Sequence, residues 1–266
     1  MGPLACFISA HTPTPRPYLL ALNANALPPL DSAAEAAKTW GMRSLLGHSF
    51  DPATRFVRLA LAEKGLMARI IETRPGEQDG DLAKVNPALS VPVLIDEPPS
   101  GGEIAVAPVG AIAEYLEEAY GETPLLPATS AGRAEARRLF SWFTDKFDSE
   151  ATALIARPRA LGARGRRWGD PEPIREFSAA IVWHFDYLSF LLERRRWIAG
   201  DRLSIADLAA GAALSVNDYF NLLPWADFPD VRDWYARIKS RPSMRSILAD
   251  RLDGAPASAH YENPDF

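Results

Sequence analysis

Apolar and polar positions in the first half of the chain alternate between two periods. Short runs of β-branched and apolar residues predict four strands, at 43–48, 68–72, 93–95 and 103–107. Apolar residues at helical spacing over 53–64 and 109–120 predict two amphipathic helices between and after these strands. The stretch 74–84 is polar and predicts an irregular connection. This order predicts one α/β domain over residues 42–122.

A proline carries the most specific signal in this domain. Pro92 stands directly before the third strand, where a residue without an N–H cannot take part in a central ladder. A tight turn that holds Pro92 at the mouth of the strand, through a cis Val91-Pro92 bond, resolves the conflict. Together with the order of the elements, this turn predicts a thioredoxin-like arrangement, in which backbone groups beside the proline pair with a thiol-bearing peptide.

The chain after a linker at 123–130 follows helical patterns throughout. These patterns cover residues 132–160, 171–196, 231–239 and 243–250. Ser204, followed three residues later by Asp207, predicts a capping box at the start of a further helix. The sequence therefore predicts an all-helical domain over residues 131–253 and an irregular tail over 254–266.

Composition narrows the classes of function. A hydrophobic content of 47% and a charged content of 24% are typical of a globular protein. A net charge of -5 argues against nucleic acid as the main partner, and no apolar run reaches the roughly 20 residues of a membrane span. The single cysteine excludes a disulfide framework and a cysteine-based metal site, and the four histidines lack metal-ligand spacing. A reducing compartment fits, and we expect the cytoplasm.

The first 41 residues differ from the rest. They contain six prolines and four charged residues without sustained periodicity. They make a poor secretory signal, because their apolar stretch at 18–22 is shorter than the roughly 7–15 residues expected of such a signal. Since Met42 stands immediately before the first strand, two interpretations remain open: a biological start at Met42, or a disordered N-terminal tail.

Four segments, in order and at the right spacing, resemble the glutathione transferase superfamily. They lie at residues 55–65, 86–94, 111–118 and 204–208. The resemblance covers residues 42 to about 251, and it implies a thioredoxin-like domain followed by an all-helical domain, usually paired as a homodimer. Because the superfamily includes non-enzymes, this fold alone does not decide the function.

The resemblance also implies where glutathione would bind. In the family, a hydroxyl or thiol at the start of the first helix holds the glutathione sulfur and favours its thiolate. Thr54 or Ser49 stands at that position here, although a Thr or Ser at a helix start is more often only a cap. Backbone groups around Val91-Pro92 would align the tripeptide.

The third part of that site is changed in this chain. The family's acid-Ser pair, which binds the γ-glutamyl end of glutathione, falls at Pro108-Val109, where there is neither charge nor hydroxyl. Each charge-assisted hydrogen bond contributes about 1.5–3 kcal/mol. Losing two of them predicts glutathione binding weaker by about two to four powers of ten.

A narrower group within the superfamily is similar at residues 46–52, 241–251 and 259–266. These are alphaproteobacterial cell-division proteins that keep the fold without evident transferase chemistry and bind filaments of the tubulin-like protein FtsZ. The resemblance implies FtsZ as the partner, no cofactor and a role in cell division. The alternative is an active transferase that conjugates glutathione to small electrophiles.

Two groups of residues are candidates for binding a partner. Tyr261, Asp265 and Phe266 combine aromatic rings with a carboxylate in the tail, which is typical of interface anchors. The alternative is a tail that packs on its own domain. Basic residues also crowd the connection between two helices of the second domain, as a footprint for an acidic partner or as a solvated loop. They are Arg164, Arg166 and Arg167.

Overall fold

The computed structural model of the chain describes residues 43–76, 80–162 and 171–263. The N-terminal extension at 1–41 lies outside the described residues. So do five of the candidate partner-binding positions, namely Arg164, Arg166, Arg167, Asp265 and Phe266.

The first half is built on a four-stranded mixed sheet. Its strands are β1 (Arg43–Gly47), β2 (Ala68–Glu72), β3 (Val93–Asp96) and β4 (Ile104–Val106). Their order across the sheet is β2-β1-β3-β4. Strand β1 is parallel to β2 and antiparallel to β3, and β3 is antiparallel to β4. The thioredoxin-like arrangement predicted from the sequence is confirmed.

The two faces of the sheet pack against different helices. The helices of this half are α1 (Pro52–Glu63), α2 (Asp81–Val85) and α3 (Val109–Ala119). Successive side chains alternate across a strand, so Leu45 of β1 lies in the main core with α1 and α3, whereas Leu46 packs with Leu82 of α2. The prediction of an irregular connection over 74–84 missed α2, because Leu82 is the one buried residue of that short helix.

The described part of the second half is helical. It contains α4 (Ser130–Ser141), α5 (Ala156–Ala160), α6 (Pro171–Leu192), α7 (Ile205–Tyr219), α8 (Pro229–Lys239) and α9 (Arg245–Leu248). The prediction of one helix over 132–160 is wrong. Two π-helical turns, Trp142–Lys146 and Asp148–Thr152, follow α4, and a turn at 153–155 precedes α5. A π turn shifts the hydrogen bonding by one residue, which apolar spacing alone does not reveal.

Helix α7 forms the centre of this half, and every residue in it is buried. A capping box starts the helix: the Ser204 N–H donates to Asp207 Oδ2 at 3.0 Å, and Ser204 Oγ accepts from the Ala206 N–H at 3.2 Å. The Asp207 carboxylate also accepts from Trp234 Nε1 at 3.1 Å. One carboxylate thus joins the start of α7 to α8.

Helix α1 joins the two halves. It packs against α7, and residues of both halves lie in one buried cluster. At its end, Arg241 Nε and Nη2 each donate to the Glu63 carboxylate at 2.6 Å, and the Ser243 hydroxyl donates to it at 2.6 Å. Burial and paired charges therefore fix the orientation of α1 toward the helical half.

Candidate functional site

Thr54, the first candidate for activating a thiol, points into the protein. Its side chain is fully buried, and its hydroxyl donates to Asp51 Oδ2 at 2.9 Å. Asp51 is the N-cap of α1, and the same oxygen accepts the Thr54 N–H at 2.8 Å. A Cβ added to Gly47 would lie 2.4 Å from Thr54 Oγ1, so the side chain rests against β1. Thr54 thus serves the cap, and sequence reasoning missed Asp51 as the residue that provides it.

Ser49, the second candidate, is bonded to an acid. Its hydroxyl donates a short hydrogen bond to Glu72 Oε1, and its N–H donates to Glu72 Oε2 at 3.2 Å. A hydroxyl has one proton, so Ser49 cannot donate to a thiolate while it donates to Glu72. The adjacent negative charge further disfavours a thiolate. Burial lowers the pKa of the neighbouring His48, which makes its imidazole a weaker source of positive charge for a thiolate.

The proline turn is present and is held by its own side chains. The Val91-Pro92 bond is cis, and Pro92 is buried. Asn86 Nδ2 donates to the Ser90 carbonyl at 2.8 Å, and Asn86 Oδ1 accepts the Ala88 N–H at 3.2 Å. Asn86 therefore fixes the approach to the proline, a role that the sequence analysis did not assign.

Helix α3 starts without the side chains of an anion site. Pro108 is its N-cap, follows a second cis bond from Ala107, and makes no side-chain hydrogen bond to the first turn. Val109 is half-buried and packs on the main core. These two positions offer neither a carboxylate nor a hydroxyl to a ligand.

A cleft of about 310 Å³ lies between the turn before α1 and the segment after α9. Ser49 and Glu72 line one side, and Asp250 and Asp253 line the other. Arg58 neutralises Asp250 through hydrogen bonds of 2.6 and 3.0 Å. Arg251 also lines the cleft but pairs with Glu262, so Glu72 and Asp253 leave the cleft negative, which opposes the entry of a ligand with carboxylates of its own.

Comparisons with known proteins decide the family. The model of the glutathione S-transferase N-terminal domain matches residues 47–124, and that of the C-terminal domain matches residues 180–242. The chain is 42% identical over 226 residues to FtsZ-localized protein A of Caulobacter vibrioides, a match that covers 84% of this chain and 98% of that relative. The chain belongs to the glutathione S-transferase family.

Solved structures agree with this assignment. FzlA from C. crescentus has a TM-score of 0.78 and 40% identity, over 85% of this chain and 100% of its own. A glutathione S-transferase from Rhodospirillum rubrum F11 has a TM-score of 0.77 and 40% identity over the same shares. The transferase fold, with a thioredoxin-like domain before a helical one, is confirmed.

The chain's residues do not fit glutathione at the positions where the family binds it. Thr54 faces β1, and the Ser49 hydroxyl is committed to Glu72. Pro108 and Val109 leave the γ-glutamyl end without its charged partner. Of the positions that the resemblance assigns to glutathione, only the Val91-Pro92 turn keeps the form it has in the family. That turn is also required by the fold.

A buried arginine ties the transferase fold to its own C-terminal segment. Arg55 is fully buried, and its Nε donates to the Ser49 carbonyl at 2.8 Å. Its Nη1 donates to Ser215 Oγ at 2.9 Å and to the Tyr261 hydroxyl at 3.0 Å. The guanidinium also lies 4.3 Å from the centroid of the Phe50 ring. A charged residue within the apolar stripe of α1 was the signal in the sequence that could have found this network.

Tyr261 therefore does not offer an exposed anchor to a partner. It is fully buried, and its ring lies edge-on to Tyr219 with the centroids 5.1 Å apart. Burial raises the pKa of its hydroxyl. For Tyr261 the structure favours the alternative of a tail that packs on its own domain, because the hydroxyl completes the hydrogen bonding of Arg55.

An aromatic strip covers one exposed face of the helical half. We use this name for Trp142, Trp183, Tyr187 and Phe190. Trp142 stacks on Trp183 with the centroids 5.1 Å apart, and Lys146 Nζ lies 4.8 Å from the Trp183 ring. Trp183 and Phe190 are 49% and 58% exposed. Neighbouring large apolar side chains that stay in water are typical of an interface.

A metal-binding cluster and a membrane-spanning helix are both absent from the part of the chain that the structure describes. Among its residues, no group of three or more His, Cys, Asp or Glu side chains could hold a metal ion. None of its helices is both long and apolar enough to cross a membrane.

Proposed function

We propose that this chain is a transferase-fold protein without transferase activity that binds FtsZ filaments and regulates bacterial cell division in the cytoplasm. One observation carries the proposal. The chain is 42% identical to a relative that is named for its localisation to FtsZ, and the match covers 98% of that relative. The altered glutathione site supports the same proposal, because a catalytic role would require a free hydroxyl that neither Thr54 nor Ser49 offers.

Filament sedimentation tests the proposal directly. The purified chain is mixed with polymerised FtsZ from the same genome and centrifuged, with an active glutathione S-transferase as the control for the shared fold. We expect this chain, and not the control, to appear in the pellet in proportion to FtsZ. A chain that stays in the supernatant at every FtsZ concentration would refute the proposed function.

An active transferase is the second candidate, favoured by family membership and by the cis Val91-Pro92 turn. Calorimetric titration of reduced glutathione separates the two, with the same active transferase as a positive control. We expect no binding tighter than about millimolar, which corresponds to roughly -4 kcal/mol. Tighter binding would mean that other groups replace the acid-Ser pair, and the enzyme would then be the better proposal.

We also propose that the chain acts as a homodimer joined through the aromatic strip. Helix α6 has 22 residues and is therefore about 33 Å long. A helix face of that length, with Trp183 and Phe190 exposed on it, offers a second copy of the chain an apolar surface to cover.

A further inference from the structure

A second exposed apolar surface lies beside strand β2, at the edge of the sheet. A groove of about 380 Å³ runs beside β2, between α1 and the segment that begins with the 3-10 turn Pro242–Met244. Its lining includes Leu61, Leu66, Met67, Ile70, Pro242 and Arg245. Met67 is 74% exposed. An apolar side chain that is so exposed at the mouth of an apolar groove indicates a surface that a partner covers.

The strand beside the groove lies at one edge of the sheet. Within the described sheet, β2 pairs with β1 alone, so alternate N–H and C=O groups of β2 face away from the sheet. An extended peptide can add to such an edge through main-chain hydrogen bonds, and adjacent pockets then select its side chains. The groove supplies such a pocket next to Ala68 and Ile70.

The charge at the groove favours an acidic peptide. Two arginines line it in a chain whose net charge is -5. Arg58 is occupied by Asp250, to which it donates twice. Arg245 is exposed and makes no side-chain hydrogen bond or ion pair with the described residues. It is therefore available to a carboxylate of the partner.

We propose that this groove binds an extended acidic segment of the filament partner, which adds a strand to β2. One apolar side chain of the segment covers Met67, and a carboxylate pairs with Arg245. The inference rests on the proposed function, since it takes FtsZ as the partner. It places that contact at the sheet edge rather than at the C-terminal tail or the aromatic strip.

Charge reversal at the groove tests the site. Sedimentation with FtsZ filaments is measured for the wild-type chain, Met67→Glu, Arg245→Glu and the matched control Arg202→Glu, whose arginine is exposed away from the groove. We expect each groove variant to bind at least tenfold more weakly and the control to stay within twofold of wild type. Circular dichroism checks that each variant keeps its helices.

Amide hydrogen exchange on the wild-type chain tests the mode of binding without any variant. Saturating FtsZ should slow exchange over 68–72, where the strand would be added, and leave α6 unchanged. If both groove variants bound FtsZ as tightly as the wild-type chain, and FtsZ did not slow exchange in β2, the groove would not be the binding site. The proposed function would then still stand. A wild-type chain that does not sediment at all would instead overturn the proposed function, and this inference with it.

Discussion

Gly47 and Thr54 fit together so closely that Gly47 cannot be enlarged by itself. A Cβ at residue 47 would lie 2.4 Å from Thr54 Oγ1 and 2.7 Å from its Cγ2. We expect Gly47→Ala to lower the free energy of unfolding by about 1–3 kcal/mol, because the overlap must be relieved by moving β1 or α1. Urea denaturation followed by circular dichroism measures the change.

The double variant Gly47→Ala, Thr54→Ala should recover part of this loss, since it removes both overlapping atoms. Gly110→Ala is the matched control, because a Cβ there meets nothing within 4 Å. It should leave stability unchanged or raise it slightly, as alanine is the better helix former. If Gly47→Ala were as stable as wild type, Thr54 would have to face elsewhere, and its candidacy as a thiol-activating group would reopen.

Arg55 is the other residue whose replacement has a defined cost. We expect Arg55→Met to destabilise the chain by about 2–4 kcal/mol, because the buried Tyr261 and Ser215 hydroxyls lose a charged partner. The exposed Arg202, changed to Met, should alter stability by less than about 0.5 kcal/mol. Equilibrium unfolding in urea compares the two variants, and equal midpoints would contradict the role assigned to Arg55.

At the scale of single residues, the sequence predicts the roles that depend on the chemistry of the residue itself. Pro92 and the Pro108-Val109 pair were interpretable, because a missing N–H or a missing charge is a property of the residue itself. Tyr261 was not, since it acquires its partner from a residue 206 positions earlier. Asp51 was overlooked because Thr54, three residues later, is an equally plausible cap by type alone.

Among the elements, the π-helical turns after α4 determine how this segment meets α6. They bring Trp142 and Glu150 onto opposite sides of the fully buried His184 side chain. His184 Nδ1 accepts from Trp142 Nε1 at 3.1 Å, and its Nε2 lies 3.2 Å from Glu150 Oε2. Burial lowers the pKa of His184 to about 4, with Lys146 also lowering it and Glu150 opposing the shift.

This lowered pKa predicts a dependence of stability on pH. An unfolded histidine has a pKa of about 6.5. As the pH falls from about 6.5 to 4, the unfolded chain binds the proton first, so His184 contributes stability above this window that is lost within it. The loss is at most about 3 kcal/mol. Urea denaturation at pH 7, 5.5 and 4 measures it.

His184→Gln is the matched variant, because its amide can still accept from Trp142 and does not titrate. We expect its stability to fall less between pH 7 and 4 than that of the wild-type chain. Parallel pH profiles for the two proteins would mean that the buried imidazole does not resist protonation.

The same elements show where periodicity stops being informative. The four strands and the amphipathic helices α1 and α3 follow from apolar spacing and from glycine and proline near their ends. The segment 132–160 keeps helical spacing throughout, yet it breaks at 153–155 because contacts with α6 and α7 determine its hydrogen bonding. Helix α2 was missed for the opposite reason, since a five-residue element with one buried leucine leaves no periodic signal.

At the scale of the whole molecule, the aromatic strip predicts the oligomeric state. Trp183→Glu with Phe190→Glu removes two aromatic rings from the proposed dimer interface and places two charges there, which must lose water when the interface forms. We expect analytical ultracentrifugation to find a dimer for the wild-type chain and a monomer for this variant.

Met67→Glu is the control, because it changes an exposed apolar residue outside the strip. It should remain dimeric while losing FtsZ binding. A monomeric wild-type chain at micromolar concentration would refute the proposed dimer.

The hydrogen bonds of Arg55 also determine when α1 can complete its folding during synthesis. The ribosome makes α1 early, but Ser215 and Tyr261 follow 160 and 206 residues later. At about 5–20 residues per second, the nascent chain waits roughly 10–40 s for the last of these groups. Until then the guanidinium has no buried hydroxyl to bind, and it must stay hydrated. Synthesis of the segment that contains Tyr261, rather than emergence of the first domain, is therefore the step after which α1 can settle into its final place.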